Sequence, residues 1–229
     1  VFSDINFSLH SGEILCITGL IGAKRTELMR AIFGVDPADS GEIRVWDKPI
    51  RIRHPLDAIR LGIGFVPEDR HRDGLFLDLS IGVNAIMSSL KRVTKAGLLL
   101  PGTMQRLVRQ QIAKMEIMPP LPRYPVKHLS GGNQQKVQLG RWLLGDTKIL
   151  ILDEPTIGID VGTKATIYRL LRELATQGTA VIVVSSDMEE VLTVADRILV
   201  MASGRIVATF GRQDVTQSQI LAAVSGEVS

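Results

Sequence analysis

The sequence predicts an α/β fold in which a mostly parallel sheet is covered by helices and interrupted by an inserted helical subdomain. Three observations predict it. Short β-branched or aliphatic runs alternate with helical patterns, as strand–helix–strand units do. A glycine-rich turn, Gly19-Leu20-Ile21-Gly22-Ala23-Lys24-Arg25-Thr26, follows one such run and precedes a helix. A second run, Ile149-Leu150-Ile151-Leu152, ends in Asp153-Glu154, as a central strand buried on both faces would.

Taken in order, strands are expected at 14–18, 43–45, 63–66, 149–152 and 180–185. A closing hairpin pairs 197–201 with 205–210 through Ala202-Ser203-Gly204, a short glycine-containing loop. Helical spacing covers 26–33, 55–61, 102–115, 133–144, 163–177 and 217–224. From about Asp69 to Lys127 there is no strong strand, and the stretch ends in the cluster Pro119, Pro120, Pro122 and Pro125. This reads as a helical insertion bounded by loops, about 69–139, in a core formed by about 1–68 and 140–229. No internal repeat or low-complexity tail is present.

Composition narrows the class. The 27 Lys and Arg face 24 Asp and Glu, for a net charge of +3, with no block of five like charges. Charge alone therefore gives no case for a nucleic-acid partner. The single cysteine, Cys16, lies in the apolar run Ile14-Leu15-Cys16-Ile17 and is expected to be a buried strand thiol. One cysteine forms no internal disulfide, which suits the cytosol. No apolar run reaches the roughly 18 residues of a membrane span, and no basic-then-apolar leader is visible. A membrane role is thus expected through a partner. The chain opens at Val1 with the first strand close behind, as a segment of a longer polypeptide would.

The chemistry lies in three motifs. The loop Gly19 to Thr26 sits where a phosphate-binding loop, G-x-x-x-x-G-K-[ST], belongs and keeps Gly19, Gly22 and Thr26, but has Lys24 at the second glycine and Arg25 at the lysine. In such loops backbone amides wrap phosphates, a cation neutralises them and the hydroxyl binds Mg2+. Counting back from Thr26 gives Arg25 the cation's role, and a side chain at Lys24 crowds a place where glycine leaves space. Arginine's flat fork differs from an ammonium, so slow hydrolysis is expected here. Standing alone, the loop would sooner be read as an ordinary glycine-rich strand-to-helix turn.

At the end of the second run, Asp153 is placed to hold Mg2+ and Glu154 to orient or deprotonate a water. Between the two lies Leu129-Ser130-Gly131-Gly132-Asn133-Gln134-Gln135-Lys136-Val137. A Ser-Gly-Gly turn opening a helix presents bare backbone N–H groups to an anion. Together the motifs indicate an ATP-handling domain.

With these residues the chain resembles the nucleotide-binding domain of ABC transporter ATPases, from about Phe7 to Ala223. Leu129 to Val137 with Leu152 to Gly162 most resembles the second of two tandem domains in monosaccharide importers, where arginine at the position of Arg25 is common. Ile157 departs from that subgroup's usual arginine. The resemblance implies a P-loop NTPase (RecA-like) core with a mostly parallel sheet, a small antiparallel β part and a helical signature subdomain. It implies ATP and Mg2+ as cofactors, the latter on Thr26 and Asp153, with nucleotide contacts along Gly19, Leu20, Ile21, Gly22, Ala23, Lys24, Arg25 and Thr26, and Glu154 as catalytic base.

It further implies a head-to-tail pair of ATPase domains, the second upstream in the same polypeptide. In that pairing Leu129, Ser130, Gly131, Gly132, Asn133 and Gln134 serve ATP held by the partner domain, and Asp160 communicates between the sites. Membrane permease subunits and, indirectly, an extracytoplasmic sugar-binding protein are the other partners implied. The location implied is the cytoplasmic face of the membrane, through the permease. Glu68 stands where the family has glutamine and Ser186 where it has a histidine on the γ-phosphate; His10, His54, His71 and His128 do not replace it. His128 reads as a turn residue and the other three as surface residues.

With Lys24 and Arg25 these make four departures at one site. Losing one positioned donor can cost about 100- to 1000-fold in rate, so the expectation is a slow site of its own beside an intact lid for the partner's. The adenine-stacking aromatic falls upstream, since Phe2 and Phe7 lie close to the loop and Phe7 reads as core. The charged loop Glu68 to Gly74 is either a solvated loop or a coupling element. Two other classes stay open: a non-hydrolysing nucleotide- or partner-binding module, and a soluble ABC-type ATPase unconnected with transport. The short span from Gly19 to Ser130 and the lack of a basic stripe count against DNA-repair members of the latter.

Overall fold

A computed structural model describes residues 2–36 and 38–225. In chain order the strands are β1 (Ile14–Gly19), β2 (Ile43–Val45), β3 (Lys48–Ile50), β4 (Ile63–Val66), β5 (Thr94–Lys95), β6 (Leu98–Leu99), β7 (Ile149–Asp153), β8 (Ala180–Val184), β9 (Arg197–Ala202) and β10 (Arg205–Gly211). The α-helices are α1 (Arg25–Phe33), α2 (Pro55–Arg60), α3 (Ile81–Ile86), α4 (Pro101–Lys114), α5 (Gly131–Leu143), α6 (Val161–Thr176), α7 (Met188–Val194) and α8 (Gln217–Ser225). Shorter helical turns cover Arg70–Gly74, Met87–Val93, Val126–His128 and Arg212–Asp214. The α/β class predicted from sequence is the class observed.

The chain forms two compact units, one of residues 1–65, 148–154 and 168–229, the other of 66–147 and 155–167. The main sheet runs β10-β9-β1-β8-β7-β4. β1 is parallel to both β8 and β9, β7 is parallel to β8, and the β9–β10 hairpin is antiparallel. Every residue of β8 is buried, as are Ile14 to Ile17 of β1. That explains their unbroken aliphatic sequences, since a strand covered on both faces has no polar side to show. Cys16 is among them, and burial pushes its thiol well up, helped by the charges of Glu190 and Asp196. It is an inert core group.

Register matters more than strand count. Ile17 and Asp153 both pair with Val184, and Gly19 pairs with Met201, so the carboxyl ends of β1, β7, β8 and β9 form one edge. Gly19 cannot carry a side chain there: a Cβ would lie 2.1 Å from the Met201 carbonyl oxygen, and its φ is 154°. β1 is therefore held against β9 up to the point where the loop begins. At the opposite end, Asp196 accepts from the Ile14 amide and from Arg172. Arg197 donates to Glu13 and to the Ser8 carbonyl, tying the first residues to β9.

The second unit is mainly helical and is organised on a buried polar centre. Asn84 on α3 is fully buried; its amide donates to the carbonyls of Phe76, Leu79 and Ser80 and its oxygen accepts from the Phe76 amide. Arg141 on α5 donates to the Asn84 backbone carbonyl at 3.0 Å and to its side-chain oxygen at 2.8 Å. Its guanidinium also lies 5.8 Å from the centre of the Phe76 ring. Burial lowers the Arg141 pKa to about 10, a shift that measures how much the charge depends on these partners. The helix cap Ser80 begins α3 by accepting from the Val83 amide. The sequence expectation named neither α3 nor the hairpin β5–β6, and it began the closing helix of the insertion at 133. In the structure α5 starts at Gly131 and runs unbroken past residue 140, and this unit takes in 155–167 as well.

Two outcomes follow. Replacing Asn84 with Ala keeps the backbone carbonyl that Arg141 Nε uses but removes the acceptor of its Nη2 and the side-chain bonds to the Phe76 segment, and should lower unfolding free energy by about 3 kcal/mol in urea titration. The second concerns acid. Burial raises the Glu13 pKa, but hydrogen bonds from Arg197 and from His10 outweigh it and leave the carboxyl below its ordinary value. A depressed carboxylate stabilises the fold above the unfolded pKa and ceases to as pH falls through the folded one. Thermal melts of Glu13→Gln should therefore lie below those of the parent at neutral pH and converge with them as pH falls beneath the ordinary carboxylate range.

Candidate functional site

The loop from β1 to α1 is built to expose backbone. Gly19 and Gly22 have φ of 154° and 85°, and Lys24, which caps α1, has φ 70° and ψ 28°. A left-handed backbone at a residue with a Cβ costs about 1–2 kcal/mol. Lys24 thus keeps the conformation that glycine would adopt freely, and its ammonium is tied to Glu27 at 2.9 Å. Leu20 and Ile21 at the loop's crest are exposed, while Ala23 beneath is buried. Glu27's carboxyl stays below its usual range because hydrogen bonding to Lys24 outweighs the burial that raises it.

Arg25 points inward. It is buried, donates from Nη1 to the Ser185 carbonyl at 2.9 Å, and stands 3.6 Å from Glu154 Oε1. Glu154 lies just beyond β7 with φ 45°, its amide donating to the Val184 carbonyl. Its other carboxylate oxygen accepts from Ser186 Oγ at 3.1 Å. So the structure brings Arg25, Glu154 and Ser186 together at the carboxyl edge of the sheet, where open α/β sheets hold ligands. A left-handed non-glycine residue at such an edge is strain of the kind found at working sites. Asp153, at the end of β7, is buried, and Thr26 in the first turn of α1 is half-buried.

No cluster of three His, Cys, Asp or Glu able to hold a metal occurs among the described residues. Mg2+ takes one or two protein oxygens and completes its octahedron with phosphate oxygens and water. Thr26 and Asp153 are the donors of that type on this edge. The chemistry of the donor set fits the group.

The other motifs belong to the second unit. Ser130 caps α5, its hydroxyl accepting from the Asn133 amide at 3.4 Å and from the Asn133 side chain at 3.0 Å. Ser130 is exposed, Gly131 half-buried, and Leu129, Gly132 and Gln134 are buried. A Cβ on Gly132 would lie 2.7 Å from Thr163 Oγ1, so the second glycine permits close packing against the start of α6. Thr163 is held by Asp160, which accepts from its amide at 3.0 Å and its hydroxyl at 2.9 Å. These two bonds also draw the Asp160 carboxyl below its ordinary pKa. The Ser-Gly-Gly helix and the Asp160 loop are therefore in direct contact through one threonine.

The charged loop meets the same place. Arg70 donates to the Ile157 carbonyl at 3.4 Å and lies against Gly131 and Gly158. His71 lies 2.9 Å from Gln134 Oε1, so this surface histidine touches the signature helix. Asp69 caps the turn by accepting from the amides of His71 and Arg72. Glu68 is exposed, and the carbonyl of its neighbour Pro67 accepts from Gln138 of α5. His128 closes a short helical turn, and Phe7 is half-buried where a core residue had been expected. Sequence reasoning missed Ser185 and Thr163. The Asp160-x-x-Thr163 spacing, which suits a helix cap, could have found the second; a backbone carbonyl acceptor such as Ser185 carries no side-chain signal.

Comparison with known proteins agrees. The ABC transporter family pattern matches residues 2–157 of the 229. The chain is 45% identical over 226 residues to the ribose import ATP-binding protein RbsA of Rhodococcus jostii, covering 99% of this chain and 45% of that protein. It is 48% identical over 223 residues to a putative ribose/galactose/methyl galactoside import ATP-binding protein of Albidiferax ferrireducens, covering 97% and 44%. It thus spans less than half the length of these relatives. Among solved structures, a dimeric ATP-binding cassette in a post-hydrolysis state bound to ADP and Pi has the same fold, with a TM-score of 0.79 at 22% identity over 93% of this chain and 91% of that one. An ATP-binding cassette of an ABC transporter in its ADP conformation superposes with a TM-score of 0.77 at 20% identity, covering 98% and 88%. With its motifs placed on this fold and the family pattern running through most of its length, the chain belongs to the ABC transporter family.

Proposed function

We propose that the chain is an ATP-binding domain of a monosaccharide importer, and that its two motif sets do unequal work. Its Ser-Gly-Gly helix closes over ATP held by a second ATPase domain in the same polypeptide. Its own phosphate loop is a slow site. Support for the sugar comes from the ribose and galactose import proteins it resembles at 45–48% identity. Permease subunits on the membrane's cytoplasmic face, and through them a sugar-binding protein, are the partners this reading requires.

The observation that carries the inequality is the state of the cation at the phosphate loop. Arg25 is drawn onto the Ser185 carbonyl and Glu154, so a phosphate must compete with both for its fork. Lys24 holds a strained backbone and is occupied by Glu27. Ser186 offers Glu154 a hydroxyl where an imidazole would reach a γ-phosphate. Mg2+ on Thr26 and Asp153 would neutralise phosphate charge when ATP is bound. The residues themselves do the rest: loop amides cradle the phosphates, Arg25 pairs with their oxygens, and Glu154 is positioned toward water only after it leaves the guanidinium.

The signature set carries no such handicap. Ser130 is exposed at the head of a 13-residue helix, and the Gly132–Thr163–Asp160 contact fixes its position. Amides at a helix start, with the dipole behind them, suit the γ-phosphate of a facing nucleotide. Arg70 and Asp160 link that helix to the loop leaving Glu154, so closure on one ATP is felt by the loop of the other. A non-hydrolysing module remains the second reading for this domain's own pocket, favoured by the Arg25–Glu154 contact.

The test compares two substitutions in the full-length protein. Ser130→Arg, which fills the anion site, should remove at least about 90% of steady-state ATPase activity, since the good site then lacks its lid. Glu154→Gln, which affects only the slow site, should leave more than half. Equal losses would refute the unequal assignment.

A further inference from the structure

Residues 79–115 of the second unit contain no Asp or Glu, yet carry Lys91, Arg92, Lys95, Arg106, Arg109 and Lys114. In a chain whose net charge is only +3, this one segment concentrates six cations. At its centre is the hairpin β5–β6, where Lys95 pairs with Leu98 and Thr94 with Leu99. Its leucines are out in solvent: Leu98 is 73% exposed, Leu99 52% and Leu100 37%, and Leu90 nearby is 43% exposed. The hairpin is fixed to its base by the Leu100 amide on the Val93 carbonyl and by the Thr94 hydroxyl on the Leu90 carbonyl. It is a held projection that exposes a leucine on each side: Leu98 shares a face with its partner Lys95, and Leu99 the other face with Thr94.

The charges around it are free to meet anions. Lys91 and Lys95 are exposed, and Arg106 and Arg109 lie on the exposed stripe of α4, opposite the buried Val108, Gln111 and Ile112. Arg92 is turned inward, donating to the Leu144 carbonyl. The acids flanking the segment are Asp78, which is paired with Lys127, and Glu116; Asp146 is the acid nearest to Arg92's anchor in the chain. Exposed leucines flanked in the chain by exposed Lys91 and Lys95, in a segment without acids, suit an interface that is apolar below and negatively charged above.

We infer that the β5–β6 hairpin is a membrane-surface contact, dipping Leu98 and Leu99 into the headgroup–acyl boundary of an anionic phospholipid bilayer while Lys91 and Lys95 bind lipid phosphates. No helix among the described residues is long and apolar enough to cross a membrane, so this contact is peripheral. It is independent of the nucleotide site and of the transport reading. It gives the domain a lipid contact of its own, beside the permease contact that the proposed function requires.

Flotation of the purified chain with vesicles tests this directly, using phosphatidylcholine alone and phosphatidylcholine with phosphatidylglycerol. The chain should float with the anionic vesicles at low salt and remain at the bottom with the neutral ones. Each cation near such a surface is worth roughly 5-fold in partitioning, so Lys91→Gln with Lys95→Gln should weaken binding by roughly 25-fold. Leu98→Gln with Leu99→Gln should abolish the part of binding that survives high salt. All four positions are exposed or half-exposed, and circular dichroism will show that the variants keep their helices. Absence of binding to anionic vesicles, binding that neither pair of substitutions changes, or binding that appears only when a permease subunit is present, would each overturn the proposal.

Discussion

Because Ile17 and Asp153 share Val184 as a neighbour in the sheet, the ends of three parallel strands cannot move independently. Everything chemical in the first unit is hung on that alignment. The glycine loop leaves β1, Glu154 leaves β7 and Ser185-Ser186 leaves β8, all at one edge. The strands are buried on both faces, and a slip by one residue would carry each of these groups to the wrong face. Gly19, pressed against the Met201 carbonyl, closes the same edge on the β9 side. The sheet is less a scaffold beneath the site than the reason its members meet.

On that edge the balance between Arg25 and Glu154 decides what the site does. A guanidinium paired with a carboxylate and a carbonyl in a buried setting is hard to displace, since removing one partner leaves the other without compensation. Phosphate oxygens can replace Glu154, because they offer the same paired geometry with more charge. On the proposed reading the site has two arrangements, closed on itself or open on a nucleotide. The second unit has no such competition at its Ser-Gly-Gly helix. There the polar bonds, from Asp160 through Thr163 and from Asn84 to Arg141, fix the helix rather than occupy its anion-facing end.

Much of this was legible in the chain. The main strands were readable to within a residue because each is an unbroken aliphatic run bounded by turn residues. The hairpin β2–β3 was half missed. Its turn places Trp46 and Asp47 at φ of 54° and 59°, a conformation normally announced by Asn-Gly, and β3 contains Pro49. α3 was missed because Ile81–Ile86 is six residues, too short to show a helical period. The site was legible where it is local. The phosphate loop and the Ser-Gly-Gly turn are contiguous, so their glycines declare themselves. Contacts such as Arg25 with Ser185, or Arg70 with Ile157, join residues far apart in sequence and depend on packing alone. The altered positions at Lys24 and Ser186 were visible as departures, but what they do instead was visible only as geometry.

The most direct test of this account is calorimetric titration of ATP, with and without Mg2+, into this chain and into a longer one that spans the length of its relatives, each beside its Arg25→Ala counterpart. If Arg25 is the phosphate-binding cation, at least the longer chain will show saturable, Mg2+-dependent binding that the substitution removes. Binding of the same strength after Arg25→Ala, or none in the longer chain, would contradict it.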